Sequence, residues 1–296
     1  PPEVSLINHG FQYLTEQSAD EQEVIWEILR RNLKGLDLPL RTFETEFGPS
    51  QFEITFGVSN GLVSADNMML FRSAVKQICH RHGYHATFMC RPNLPNIFSS
   101  GWHLHQSVVD RVTGANMFVA DNAADVLSPF GRHFAAGIMA HAQGASIFTT
   151  PTINGYKRYQ PFTLAPDRVV WGLDNKGAML RVVGSHGDPM THLENRVGEP
   201  AANPYLYMTS QILSGMDGVH RKLEPPAMSN AAYETEAPHL PRSLLAALYA
   251  FKEDTFFREK LGDQFVDYLI HLKDAEIDRF LTTVTDWEHR EYFEIL

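Results

Sequence analysis

The chain has 296 residues, a formal net charge of -10 and only two cysteines. The negative charge, with no lysine- or arginine-rich patch to offset it, argues against a nucleic-acid partner. Two cysteines cannot build a disulfide framework, and no apolar run is long enough to span a bilayer. We therefore expect a cytoplasmic protein without a membrane partner. Because the sequence begins Pro1-Pro2-Glu3, without a methionine, we interpret it as part of a longer protein.

Two helices are predicted in the first third of the chain. Residues 18–34 carry an apolar stripe, and Ser18 and Glu21 match the capping-box pattern at its start. Residues 65–82 predict a longer helix that ends at Gly83, because glycine favours helix termination.

A hairpin is predicted between these helices. Residues 41–47 and 51–58 alternate as two strands joined by a Gly-Pro-Ser turn. Glu44 and Glu46 share one face of the first strand, and Glu53 lies on the polar face of the second. Carboxylates on a sheet face are typical of a cation site and equally of a solvated surface, and the spacing alone does not decide between them.

The middle of the chain predicts a strand with two histidines on one face. Residues 86–90 predict a buried strand, and a loop then leads into residues 99–107. There His103, His105 and Ser107 alternate with apolar or amide side chains. Two imidazoles on one face suit a metal ion or an anionic ligand, although most such histidines are ordinary polar residues.

The second half predicts one more helical region, a hairpin, a polar strand and a helical scaffold. The helical region is 123–147, the hairpin is 169–183, the polar strand is 191–197 with His192, Glu194 and Arg196 on one face, and amphipathic helices begin near 202 and include 244–251 and 265–281.

Together these segments predict a polar sheet face suited to phosphoryl transfer. Its acidic and imidazole groups are Glu46, Glu53, His103 and Glu194, and its cations are Arg158, Lys176, Arg181 and Arg196. Carboxylates with one imidazole favour Mg²⁺ or Mn²⁺ over structural Zn²⁺. Cations beside such a site can neutralise a phosphoryl group, and the absence of a P-loop pattern means that a nucleotide would be held in another way.

In this order, the motifs resemble the catalytic domain of the glutamine synthetase superfamily. The similar segments are 46–53, 65–67, 86–89, 100–107, 151–158, 175–181, 194–196 and 201–206. The resemblance implies an α+β fold, with a curved antiparallel sheet backed by helices, and one catalytic domain over 1–296. It also implies a homo-oligomeric ring, a dodecamer of two hexamers with active sites between subunits. The family's small N-terminal β-domain has no counterpart in this sequence.

The resemblance also implies a role for each site residue. Glu46 and Glu53 resemble ligands of the metal that orients glutamate, whereas His103 and Glu194 resemble ligands of the metal that holds the nucleotide phosphates. The remaining positions are those that contact ATP, namely His105, Ser107, Arg181 and His192, and those that act on glutamate and the transferring phosphoryl group, namely Arg158, Arg196 and Lys176.

The implied reaction uses ATP and Mg²⁺ or Mn²⁺ in two steps. ATP phosphorylates the γ-carboxylate of glutamate, and an amine or ammonia then displaces phosphate. A carboxylate is a poor acyl donor until its oxygen becomes a good leaving group, and two metals with several arginines can screen the charge that collects. On this basis we expect Glu194→Ala to abolish turnover without disturbing the fold.

Several positions depart from the family pattern. Leu164 stands where glutamine synthetases carry a glutamate that attracts ammonium, Phe98 replaces an asparagine, and Lys176 and His192 replace arginines. An isobutyl group makes the acceptor pocket apolar, so we expect an organic amine, apolar or aromatic, as acceptor. Three alternatives stay open: a glutamine synthetase that uses ammonia, a catalytically silent family member, and a mononuclear-metal β-barrel enzyme.

Overall fold

The computed structural model describes residues 3–295. The helices are α1 (Glu16–Lys34), α2 (Gly61–Arg81), α3 (Pro129–Ala140), α4 (Ala142–Thr149), α5 (Pro204–Arg221), α6 (Leu244–Glu253), α7 (Thr255–Leu261), α8 (Asp263–Leu281) and α9 (Asp286–Tyr292). The strands are β1 (Leu40–Thr45), β2 (Phe52–Phe56), β3 (Leu104–Gln106), β4 (Trp171–Leu173), β5 (Leu180–Val183) and β6 (His192–Asn195), and a 3₁₀ turn covers Gly155–Arg158.

The hairpin β1–β2 and the helices α1 and α2 enclose one apolar core. Trp26 of α1 lies 6.1 Å from Phe43 and 6.0 Å from Phe52, ring centre to ring centre. The predicted hairpin is confirmed, and Glu44 lies opposite Glu53 in its register. The capping box at Ser18 is wrong. The helix begins two residues earlier, and the buried Ser18 hydroxyl instead accepts a hydrogen bond from Asn8 at 2.6 Å.

The second sheet has four strands in the order β3-β6-β5-β4. β6 is antiparallel to both β3 and β5, but β4 runs parallel to β5, so the predicted hairpin over 169–183 is wrong. β4 has only three residues and is therefore about 10 Å long. Residues 174–179 are enough to bring the chain back to the end at which β4 began, so that β5 can run in the same direction. Residues 86–90 are outside the strands, since this segment forms no ladder.

The larger core lies between this sheet and the helices. Phe134, Phe148, Phe251 and Phe257 are buried there with apolar residues of β5 and β6. The predicted scaffold helices are confirmed as α6 and α8. The open sheet with its helical backing confirms the α+β class and excludes the β-barrel alternative.

Two close contacts fix how the helices and loops pack. A Cβ atom on Gly137 of α3 would lie 2.1 Å from the Ser214 carbonyl oxygen of α5, so the two helices approach each other only because the residue is glycine. Arg72 of α2 donates to the carbonyl oxygens of Pro200 at 2.7 Å and Ala202 at 2.8 Å, and so joins the two cores.

Within 3–295, no helix is both long and apolar enough to cross a membrane.

Candidate active site

Three neighbouring strands place polar side chains in one row across the sheet. His105 of β3 lies opposite Glu194 of β6, and Glu194 lies opposite Arg181 of β5. Side chains at paired positions of adjacent strands point to the same face. The pairing of these strands therefore brings an imidazole, a carboxylate and a guanidinium together.

Glu194 is the centre of this row. Its side chain is 2% exposed, yet its Oε1 lies 3.1 Å from Nδ1 of His103 and 2.5 Å from Nη1 of Arg196, and its Oε2 lies 3.0 Å from Nη1 of Arg181. Burial alone would raise its pKa, but the hydrogen bond with His103 and the surrounding positive charges hold the pKa far below its ordinary value. Glu194 is therefore a buried carboxylate that neutralises two arginines.

His103 is held on both ring nitrogens. Burial and the nearby Arg196 lower its pKa to about 4, so the ring is neutral at neutral pH. Its Nδ1–H donates to Glu194, and its Nε2 lies 3.3 Å from Nη2 of Arg158, which donates to it. This neutral form is the one that a metal ligand requires.

The two predicted substrate arginines are both buried and bonded to backbone. Arg158 donates to the carbonyl oxygens of Arg196 at 2.9 Å and of Val197 and Gly198 at 3.4 Å. Arg196 donates from Nε to the Lys176 carbonyl at 2.8 Å and from Nη2 to the Leu164 carbonyl at 3.4 Å. They therefore fix the segments around β6 while their charge stays beside His103 and Glu194.

Glu46 and Glu53 form a second acidic group on the hairpin. The pKa of Glu53 is raised to about 7 by burial, by repulsion from Glu46, by a hydrogen bond with Glu46, and by the charges of Glu44 and Glu194. Two neighbouring carboxylates have the oxygen ligands that a hard divalent cation prefers. These residues therefore fit a Mg²⁺ or Mn²⁺ ion, for which they would provide two ligands.

The four predicted metal ligands do not form a single group. In the described part of the chain, no three His, Cys, Asp or Glu side chains converge closely enough to hold a metal ion. His103 and Glu194 are close together but are already bonded by arginines, whereas Glu46 and Glu53 lie on the other sheet. The two-site arrangement stays a prediction.

The predicted nucleotide residues lie on or beside β3, β6 and β5, the three neighbouring strands of the sheet. Nδ1 of His105 lies 2.9 Å from Nε2 of His192, and Ser107 is exposed just after the end of β3. Arg181 also forms an ion pair with Asp174. The structure thus brings His105, His192 and Arg181 around Glu194, with Ser107 at the edge.

An aromatic stack of Tyr13, Phe47 and Phe98 was not identified as a unit from the sequence. The Tyr13 and Phe47 rings are stacked at 4.7 Å, and Phe98 lies 5.4 Å from Phe47. Nζ of Lys176 lies 5.4 Å from the Tyr13 ring centre. Of these rings, only Phe98 had a sequence signal, because it departs from the family pattern. No spacing rule connects Tyr13 to it.

Comparison with known proteins identifies the class. Residues 3–292 match the family model "Glutamine synthetase, catalytic domain". The chain therefore belongs to the glutamine synthetase catalytic-domain family, for which ATP and a divalent cation are typical.

The relatives include proteins with different named products. The chain is 48% identical to γ-glutamylanilide synthase of Acinetobacter sp., over 99% of this chain and 61% of that protein. It is 36% identical to glutamine synthetase of Thermus thermophilus, over 88% of this chain and 59% of that protein. The chain thus spans about three fifths of the length of these relatives.

A solved structure confirms the fold. The structure described as "GmaS/ADP complex-Conformation 1" matches with a TM-score of 0.87 and 27% identity, over 97% of this chain and 67% of that chain. The predicted glutamine synthetase-type fold class is therefore confirmed.

Proposed function

We propose that this protein is an ATP-dependent ligase that joins the γ-carboxylate of glutamate to an organic amine through a γ-glutamyl phosphate. The similarity to a protein named γ-glutamylanilide synthase supports an organic acceptor. The similarity to a protein named glutamine synthetase keeps ammonia as the second candidate. We treat residues 1–296 as one catalytic domain of this ligase.

Leu164 is the residue that carries the choice of acceptor. It follows Thr163 in a loop where Phe162 and Leu164 both have positive φ, 61° and 58°. Its carbonyl oxygen accepts a hydrogen bond from Arg196, so the loop lies against the centre of the site. The side chain is 38% exposed. An isobutyl group offers no negative charge to an ammonium ion but can pack against the apolar part of an amine.

The aromatic stack supports a planar acceptor. Arg196 bonds both the Leu164 carbonyl and the Lys176 carbonyl, and the Lys176 ammonium lies over the Tyr13 ring. The stack is therefore connected to the same arginine as Leu164. The Phe98 ring is tilted by 36° to Phe47, so these rings form an angled apolar surface, and an aromatic acceptor that packs on it gains about 0.5–1.5 kcal/mol beyond simple burial.

The cations of the site would act on the developing phosphate charge. We expect Arg158, Arg196, Lys176 and Arg181 to supply positive charge where a carboxylate oxygen becomes the bridging oxygen of an acyl phosphate. A divalent cation held by Glu46 and Glu53, or by His103 and Glu194, would supply further positive charge there. His105, Ser107, Arg181 and His192 would bind ATP.

We also propose the family's homo-oligomeric ring, a dodecamer of two hexamers with active sites between subunits, in the cytoplasm. Exposed apolar side chains at the start of α2, Leu62 at 70% and Val63 at 49%, support a further contact surface. Sedimentation of the purified protein would test the ring, and a monomer at working concentration would contradict it.

The acceptor is tested by ATP turnover with glutamate and a panel of ammonia, methylamine, ethanolamine and aniline. We expect the highest kcat/KM with an aromatic or apolar amine. Leu164→Glu should lower aniline turnover about 10-fold or more and raise the relative rate with ammonia, because it restores a negative charge. Leu164→Met is the matched control. Saturable preference of the wild type for ammonia would overturn the organic acceptor.

The alternative that this chain is a catalytically silent family member predicts a different result. Mg²⁺-ATP binding without glutamate-dependent ADP formation, with every amine tried, would support a protein that kept the fold and lost the reaction. A glutamate-dependent burst of ADP, even with a poor amine, would exclude it.

A further inference from the structure

The side chain of His192 has a fixed proton position. Its Nδ1 lies 2.6 Å from the Met190 carbonyl oxygen, which can only accept, so Nδ1 carries the proton. In the neutral ring, Nε2 then has a free lone pair. That nitrogen faces Nδ1 of His105 at 2.9 Å, although the two histidines are 87 residues apart in the chain.

His105 is oriented by this contact. Because Nε2 of His192 can only accept, Nδ1 of His105 must donate, and the proton of a neutral His105 is therefore on Nδ1. Its Nε2 is then an acceptor, and it lies 3.8 Å from Oε1 of Glu194, too far for a hydrogen bond.

The unprotonated Nε2 of His105 can bond only a ligand group that donates a hydrogen. An acceptor cannot hydrogen-bond a phosphate oxygen, which also accepts, but it can bond a hydroxyl or amino group. The phosphate charge has a separate partner in Arg181, which lies in the same row of the sheet on the far side of Glu194. The donor groups of ATP nearest to its phosphates are the ribose hydroxyls.

We propose that His192 is a positioning residue that holds His105 in the Nδ1–H form, so that Nε2 of His105 accepts a hydrogen bond from a ribose hydroxyl of the bound nucleotide. This inference rests on the nucleotide site of the proposed function. An arginine at position 192 could only donate, and it would turn the His105 ring into the opposite tautomer. With histidine in place of arginine at position 192, this part of the site therefore binds a ribose hydroxyl of the nucleotide and not a phosphate oxygen.

The test is direct binding of a non-hydrolysable ATP analogue and of its 2′-deoxy and 3′-deoxy forms, by calorimetry with Mg²⁺. We expect the wild type to bind the ribonucleotide about 3- to 10-fold more tightly than one deoxy form, the range of a single neutral hydrogen bond. His192→Gln keeps an acceptor and should keep this ratio. His192→Leu and His192→Arg should reduce it to near one. His271→Leu, an exposed histidine on α8, is the control.

Nitrogen-15 spectra of the histidine rings give a second readout without ligand. The wild type and His192→Gln should show His105 in the Nδ1–H form, and His192→Leu should show a mixture. An equal loss of affinity for all three nucleotides in His192→Leu, with an unchanged tautomer, would mean a structural role and overturn the inference. If the wild type binds no nucleotide, the proposed function fails as well. If nucleotides bind and no glutamate-dependent turnover occurs, only the proposed reaction fails.

Discussion

Nδ1 of His103 and Oε1 of Glu194 lie 3.1 Å apart, and this contact connects the residue just before β3 to β6 at the centre of the site. The carboxylate is buried beside two arginines, whereas the imidazole is neutral. Glu194 therefore neutralises buried positive charge in addition to any ligand that it binds. Its removal is expected to affect the stability of the protein as well as its activity.

Glu194→Gln is expected to destabilise the protein as well as abolish turnover. The substitution keeps the shape but leaves Arg196 and Arg181 without their shared carboxylate, and loss of one partner of a buried ion pair costs about 3–5 kcal/mol. The sequence-based expectation of an intact fold is thus replaced. Thermal unfolding should show a melting temperature lower by about 5–15 °C. Glu259→Gln, on the exposed face of α7, is the control, and equal melting temperatures would contradict the prediction.

The raised pKa of Glu53 predicts that the stability of the protein falls as the pH rises, and that a bound cation reduces this loss. Its pKa is raised from 4.5 to about 7, by burial first and then by Glu46. The protonated form is therefore favoured on folding, so this contribution is complete below about pH 4.5 and is lost as the pH rises through about 7.

For the metal-free protein, we expect the melting temperature to fall by several degrees more in the wild type than in Glu53→Gln between pH 5 and pH 8. Added Mg²⁺ should raise the wild-type value at pH 8 and leave the variant nearly unchanged. Parallel pH profiles, or equal Mg²⁺ responses, would remove Glu53 from the cation site.

The aromatic stack predicts a selective loss of acceptor binding. Phe47→Leu removes the central ring, which touches both Tyr13 and Phe98. We expect the KM for an aromatic amine to rise about 5- to 10-fold, with a change below twofold for methylamine, because only a ring gains from stacking. Steady-state kinetics with both amines measures the difference. Equal rises in the two KM values would indicate a general disturbance of the site.

His141 predicts a second pH effect, far from the sheet. It follows α3, and its Nε2 lies 2.8 Å from Asp217 while its ring stacks on Phe256 at 3.8 Å. Burial alone would lower its pKa, but the Asp254 and Asp217 carboxylates outweigh burial and raise it. The charged form is favoured on folding, so its stabilisation is complete below the unfolded pKa of 6.5 and is lost as the pH rises through the raised value.

We therefore expect His141→Gln to lower the melting temperature more at pH 6 than at pH 9, because the charged imidazole stabilises the fold only at the lower pH. The variant keeps a hydrogen-bonding side chain but has no proton to lose. A difference that is constant across this range would show that the charge of His141 contributes nothing.

Elements set by interactions between residues close together in the chain were predicted correctly, whereas those set by contacts between distant residues were not. Helices such as α6 and α8 were predictable because one apolar face repeats every turn, and this pattern is local. The parallel direction of β4 was not, because three residues carry too little pattern to choose a partner. The capping box at Ser18 failed because a bond to Asn8 competes for the same hydroxyl.

The sequence by itself determined the family, the order of the site segments and the apolar residue at position 164. These depend on residue identities along the chain. Only the tertiary structure decided that Glu194 is buried between arginines, that Tyr13 joins Phe47 and Phe98, and that His192 orients His105. Each of these contacts joins residues brought together by strand pairing or packing, and a side chain's charge state and hydrogen-bond role are set by those neighbours.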